Sequence, residues 1–174
     1  MKKTDANQII REARPSDARD IAAVHIRAWQ HAYRKLMPRD ALDSLDIEKR
    51  TEQWQTWLQN GKTLVAESDD TIVGFCSVAK ARDDDVDSAT GEIYALYVDP
   101  RLWRSGIGTH LCDAGLKALW ENGFTRAVLW VLRDNLVGRG FYERYGFLAD
   151  GHEEMLTAGS EQLPELRYAI SSAE

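Results

Sequence analysis

The stretch GEIYALYVDPRLWRSGIGTH, residues 91–110, decides the fold. It opens as a strand from Glu92 to Asp99, in which Ile93, Ala95 and Tyr97 alternate with Tyr94, Leu96 and Val98, and both sets are apolar. A strand apolar on both faces is predicted to lie in the middle of its sheet with cover on both sides. Pro100 ends it, because proline brings no N–H to a ladder. A polar turn, Arg101 to Ser105, then leads through Gly106-Ile107-Gly108 into a helical pattern. Strand, glycine-bearing turn and helix in that order suit an anion. The first helical turn has unpaired N–H groups and a partial positive charge, and glycines let phosphate oxygens come close to the backbone.

Upstream, Gln8 to Ala13 reads as a first strand. Pro15-Ser16-Asp17 starts a helix whose Ile21, Val24, Ala28, Trp29, Ala32, Tyr33 and Leu36 repeat at helical spacing until Pro38. Two further helical pieces follow, Pro38 to Leu45 and Ile47 to Asn60, the second ended by Gly61 in a left-handed position. Thr63 to Glu67 and Thr71 to Ala81 form a hairpin around Ser68-Asp69-Asp70. Arg82 to Ala89 is a polar loop rich in aspartate.

Downstream of the glycines, the helix carries Ile107, Leu111, Ala114, Gly115, Ala118 and Leu119 inward and stops at Asn122-Gly123. A strand from Thr125 to Leu132, a helix from Asn135 to Tyr145 ended by Gly146, and strands Phe147 to Leu156 and Leu163 to Ile170 complete the chain. The order predicts an α/β or α+β domain, a mixed sheet between helical layers. No repeat, linker or second domain interrupts it, so residues 1–174 are expected to form one unit.

Composition narrows the function. The 174 residues suffice for a stable core. A formal net charge of −6 argues against a partner built on a phosphate backbone, so no nucleic acid is expected. No apolar run approaches the ~20 residues that span a bilayer, and Met1 to Gln8 is polar. Cytoplasmic residence is therefore expected, away from membranes. Cys76 and Cys112, the only cysteines, sit in apolar patterns and read as buried thiols. His25, His31, His110 and His152 have no partners at ligand spacing, and no metal is expected.

Gly-Ile-Gly alone is weak evidence. The mononucleotide loop requires Lys-Ser/Thr after its last glycine, where Thr109-His110 stands, and the dinucleotide fingerprint needs a third glycine. A different pattern fits. Val98-Asp99-Pro100 followed by Arg101 to Gly108 resembles the acetyl-CoA motif of the GCN5-related N-acetyltransferase (GNAT) superfamily, Gln/Arg-x-x-Gly-x-Gly/Ala after a central strand. Asn135-x-x-Gly138-x-x-Phe141-Tyr142-Glu143-Arg144-Tyr145-Gly146-Phe147 resembles that superfamily's second signature, Asn-x-x-Ala-x-x-Phe-Tyr-x-x-x-Gly-Phe. Two departures stand out. Trp103 occupies the first motif position, with Arg104 one place later, and Gly138 and Gly140 replace better helix formers at roughly 1 kcal/mol each.

The resemblance implies a mostly antiparallel sheet of about seven strands and transfer of an acetyl group from acetyl-CoA to a primary amine. Trp103, Arg104, Ser105, Gly106, Ile107, Gly108 and Thr109 would hold the pyrophosphate, chiefly through backbone N–H groups. Exposed backbone of Leu96, Tyr97 and Val98, beside a strand bulge, would orient the thioester, and Asn135 would meet the pantetheine arm. Tyr142 matches a tyrosine that donates a proton to the CoA sulfur or hydrogen-bonds it, and its phenol is neutral at pH 7. Glu92 matches a glutamate that serves as base, directly or through water. A solvated strand-end carboxylate for Glu92 and a core aromatic for Tyr142 are the plainer readings.

The acceptor pocket implied by the resemblance draws on the first two helices, where Trp29, His31, Tyr33, Trp54 and Trp57 stand. With the Asp83 to Asp87 loop these aromatics suit a small, cationic amine. Core packing for the tryptophans and a solvated loop are the alternative. A protein amine as acceptor, a catalytically silent acyl-CoA-binding sensor or scaffold, and a homodimer also stay open.

Overall fold

The computed structural model describes residues 8–172. The polar start of the chain, residues 1–7, lies outside them. Seven strands form one sheet in the order β1-β2-β3-β4-β5-β7-β6. They are β1 Gln8–Glu12, β2 Lys62–Ser68, β3 Thr71–Lys80, β4 Thr90–Val98, β5 Arg126–Leu132, β6 Leu148–Ala158 and β7 Glu161–Ser171. The pairing is antiparallel throughout except between β4 and β5. The doubly apolar strand is thus the fourth of seven, and helices cover it on both sides. Helices α1 Ala18–Ala32, α2 Arg39–Asp43 and α3 Ile47–Asn60 lie on one face, and α4 Ile107–Glu121 and α5 Leu136–Tyr145 on the other.

Each face has its own core. Ile107, Leu111, Leu116 and Leu119 of α4 pack with Cys76, Val78, Ala127, Leu129 and Phe147. The approach is close enough that a Cβ on Gly115 would lie 2.6 Å from the Cys76 sulfur. On the opposite face Ile21, Val24 and Trp54 meet Val65 and Phe75. A third cluster, Tyr33, Met37, Leu42, Leu132 and Ala158, joins the end of α1 to the ends of β5 and β6.

Local rules account for most boundaries. Asp69 and Asp70 both take positive φ, 49° and 58°, as a two-residue hairpin turn requires. Asp46 caps α3 by accepting from the Lys49 N–H at 2.8 Å, and Gly146 closes α5 at φ 118°. Two expectations are corrected. The first helix ends at Ala32 rather than about Leu36, where the N–H groups of Leu36 and Met37 both turn back to the Tyr33 carbonyl. Gly61 is not left-handed: at φ −135°, ψ 164° it passes directly into extended chain, because β2 begins at the next residue.

Two irregularities in β4 open the sheet near its centre. Ser77 faces Ala95 while Val78 faces Ile93, so Tyr94 is an extra residue and the strand bends there. On its other side β4 pairs with β5 only at Thr90, Gly91 and Glu92. Beyond Glu92 the two strands part, and the β5-facing edge of Ile93 to Val98 has no ladder partner.

Candidate active site

The parting of β4 and β5 opens a cleft of about 1050 Å³ that passes from the α4–α5 face to the α1 face. Leu96, Tyr97 and Val98 form one wall, and Trp103, Arg104 and Gly106 form its upper rim. Ile107, Gly108 and Thr109 supply the first turn of α4, and Asn135 and Tyr142 face them from α5 and its cap. Of the catalytic and cofactor-binding residues singled out in the sequence, all but Ser105 and Glu92 line this one cleft, whereas of the acceptor-pocket aromatics Tyr33 does and Trp29, His31, Trp54 and Trp57 do not.

The anion end is built by backbone conformation. Arg104 and Gly106 both take left-handed angles, φ 64° and 89°. Gly106 as N-cap leaves the first turn of α4 without a side-chain cap, so the N–H groups of Ile107, Gly108 and Thr109 point out of the helix with no partner in it. The first intrahelical N–H is that of His110, which donates to Gly106 at 3.1 Å. Arg104 and Arg144 stand beside this start on the cleft wall. Ser105 turns its hydroxyl away, donating to the Leu102 carbonyl at 2.6 Å. This cradle of free donors, glycines and two guanidinium groups fits the diphosphate of a coenzyme A ester.

Trp103 explains how the loop tolerates its departure from the usual residue. Its indole N–H donates to the Val98 carbonyl at 2.9 Å, and its ring meets His31 of α1 edge-on at 4.9 Å. The Val98 carbonyl is therefore already engaged, and the free backbone of the wall lies deeper, toward Leu96.

Tyr142 of α5 lines the same cleft. Burial above all, with the Tyr97 phenol and the Cys112 and Cys76 thiols nearby, holds its hydroxyl well above the ordinary phenol value. It is a neutral donor at pH 7, and among the described residues its hydroxyl makes no hydrogen bond. Beyond it the hydroxyls of Tyr33 and Tyr97 lie 3.1 Å apart. Asn135 accepts from the Gly138 N–H at 3.0 Å and so caps α5 while facing the cleft.

Glu92 lies elsewhere. Its side chain is 1% exposed, and Arg82 binds both carboxylate oxygens, through its backbone N–H at 3.3 Å and its guanidinium at 2.9 and 3.2 Å. Burial raises the carboxyl while Arg82 opposes the rise. The aspartate loop is also committed internally. Arg167, itself 2% exposed, takes Asp85 at 2.6 and 2.7 Å, Asp83 at 3.0 Å and Asp150 at 2.8 Å. Asp83 and Asp85 thus hold the loop to β7, Asp150 joins them from β6, and none of the three is free for a cationic substrate.

Among the aromatics, Tyr33 reaches the cleft, but Trp54 is core and donates to Nδ1 of the buried His25 at 3.1 Å. Tyr94 and Trp130 also line the cleft, as do the exposed Leu136 and Val137 at the start of α5. None of these four stood out in the sequence. Tyr94 and Trp130 belong to strands apolar on both faces, whose lining side shows only once the strands part. The aliphatic pair directly follows Asn135 on a helix start, a position where apolar side chains have no core to enter. Among the described residues no helix is long and apolar enough to cross a membrane, and no group of histidines, cysteines and acids is set to hold a metal.

The parted parallel pair, with an uncapped glycine-led helix at its mouth, is the architecture of an acyl-CoA-dependent N-acetyltransferase. The model of the acetyltransferase (GNAT) family matches residues 23–147, and the chain belongs to that family. An uncharacterized N-acetyltransferase, YuaI of Bacillus subtilis, is 30% identical over 126 residues, 72% of each chain. The structure of a PaiA N-acetyltransferase from Thermoplasma acidophilum in complex with coenzyme A superposes with a TM-score of 0.74 at 23% identity, covering 91% of this chain and 98% of that one. The yncA acetyltransferase of Salmonella typhimurium, solved with acetyl-CoA, gives 0.72 at 19% identity, covering 97% and 95%.

Proposed function

We propose that this protein moves the acetyl group of acetyl-CoA onto a primary amine of a small molecule, with residues 1–174 acting as a single domain. The observation that carries the reading is the continuity of the cleft. It runs from the uncapped start of α4, past the unpartnered hydroxyl of Tyr142, to Tyr33, Tyr94 and Trp130 on the other face of the sheet. A donor entering along α4 and α5 and an acceptor entering beside α1 would meet at Tyr142. The aromatic acceptor end favours a cationic or ring-bearing amine. The two buried free cysteines suit a reducing cytoplasm.

In this reading backbone donors of Ile107 to Thr109 bind the diphosphate, Asn135 and the open edge of β4 orient the arm, and Tyr142 keeps a proton for the leaving sulfur. Glu92, with both oxygens held by Arg82, acts at one remove: it fixes Arg82 and reaches an amine only through an intervening group. The test is CoA release across polyamines, amino acids, aminoglycosides and lysine peptides, run beside Tyr142→Phe. Turnover confined to one small-amine class, with kcat about 10²-fold lower in the variant, is the expected result. Tight acetyl-CoA binding without turnover of any amine would favour the sensor reading, and turnover of peptides alone would favour a protein acceptor.

A further inference from the structure

The strand β7 brings a carboxylate to the acceptor face that neither signature contains. Glu165 pairs across β5 with Leu132 and across β6 with Glu154. Its neighbours at alternate positions fix the face on which it lies. Leu163 joins the Tyr33–Leu132 cluster and Arg167 sits over the Trp130 ring at 5.6 Å, so Glu165, between them, lies on the α1 face, on the side of the sheet that carries Tyr33 and Trp130 of the cleft lining, though outside that lining itself.

Burial separates it from the exposed Glu154 across β6, and the want of a partner separates it from the other carboxylates there. Glu92 is bound by Arg82, and Asp83, Asp85 and Asp150 are bound by Arg167. Glu165 is half-buried, and among the described residues its side chain has neither a hydrogen-bond partner nor an ion-pair partner. The charged and titratable groups around it are Glu154 on β6, Glu92 and Tyr97 on β4, Arg82 after β3, Arg167 on β7 and Tyr33 at the end of α1. Burial first, then Glu154 and Glu92, raise its carboxyl to about 7 against the opposing pull of Arg82. Its charge in turn acts on Tyr33 and Tyr97, whose hydroxyls lie 3.1 Å apart in the cleft lining.

We propose that Glu165 is the group that takes the proton from the acceptor ammonium. The proposal rests on the amine-acetylation reading above. The carboxylate removes one proton from R–NH3+, and the freed nitrogen lone pair forms the C–N bond to the acetyl carbon. The C–S bond breaks, the sulfur leaves with the proton of the Tyr142 hydroxyl, and the tyrosinate recovers a proton from the acylated nitrogen. One proton, on Glu165, is released to water per turnover. A base that titrates near the working pH is the most effective kind, since it is deprotonated often enough and still holds a proton firmly.

The experiment is a pH profile of kcat/KM for wild type, Glu165→Gln and Glu165→Asp with the best amine. It is combined with a carboxyl carbon NMR titration of the unliganded protein, in which the Glu165 signal is assigned by its loss in the Gln variant. We expect a rising limb and an NMR midpoint both near 7 in the wild type. In Glu165→Gln the limb should vanish and the rate at pH 7 fall about 10²-fold, with unchanged acetyl-CoA affinity by calorimetry. Above pH ~10, where an alkylamine deprotonates itself, the gap should close, and Glu165→Asp should recover part of the limb. A limb that persists in Glu165→Gln, or an NMR midpoint in the ordinary carboxylate range, overturns the assignment alone. Failure of the wild type to acetylate any amine removes the underlying reading, and the assignment with it.

Discussion

The indole N–H of Trp103 donates to the carbonyl of Val98 at 2.9 Å, tying the turn before α4 to the end of β4. The same ring packs on His31, so one side chain links the anion loop, the central strand and α1. A residue that reached the diphosphate directly would contribute charge. Trp103 contributes position, holding, together with the Ser105 hydroxyl on the Leu102 carbonyl, a loop in which Arg104 and Gly106 are left-handed.

Trp103→Phe keeps the ring and removes the donor. A net hydrogen bond is worth about 1 kcal/mol, so acetyl-CoA affinity measured by calorimetry should weaken about 5-fold. Trp103→Ala also removes the packing on His31 and should weaken it by more than 10-fold. Equal affinities in all three proteins would mean that the loop is fixed without Trp103.

Such a link could not be read from the sequence, while much else could. The strand–turn–helix at Gly91 to His110 and the Asn135 to Phe147 signature are governed by local rules of proline, glycine and capping, and both appear where expected. The insertion of β7 between β5 and β6 is different. It brings Arg167 to Asp83 and Asp85, more than 80 residues away, and places Glu165 near Glu92. No periodicity encodes which carboxylate meets which guanidinium, so the aspartate loop looked free and Glu165 looked ordinary. His25 did leave a trace: it stands four residues after Ile21 on the inner face of α1, a position whose burial the helical spacing implies.

Arg167 offers a test of that long-range network. Its guanidinium is nearly inaccessible and carries three aspartates, with the Trp130 indole also donating to Asp83 at 3.2 Å. Arg167→Met leaves Asp83 with only the Trp130 N–H in a partly buried setting, while Asp150 keeps Arg126 at 2.9 Å, and should destabilise by about 3 kcal/mol in urea unfolding. Arg167→Lys keeps the charge but loses the planar fork, and should retain part of the stability. A loss below about 1 kcal/mol for the Met variant would show that solvent reaches the aspartates and that the network contributes little.

The buried imidazole of His25 sets the response to acid. It accepts from Trp54 through Nδ1, stacks on Tyr97 at 5.0 Å, and is pushed down to about 3, by burial first and then by Arg50. An unfolded chain titrates its histidine near ~6.5. Between these values the unfolded state binds one more proton than the folded state, so stability rises with pH across the window. His25 therefore makes no demand above about 6.5 and costs progressively more as pH falls toward about 3. At pH 5 the loss traceable to this residue is about 2 kcal/mol. His25→Gln, which can still accept from Trp54, should be less stable at pH 7 because it replaces a stacked ring. Its stability in urea should nevertheless fall about 2 kcal/mol less than wild type between pH 7 and pH 5. Parallel losses in the two proteins would mean that His25 is protonated in the folded state, which the Trp54 donor opposite Nδ1 and the surrounding rings of Trp29, Phe75 and Tyr97 argue against.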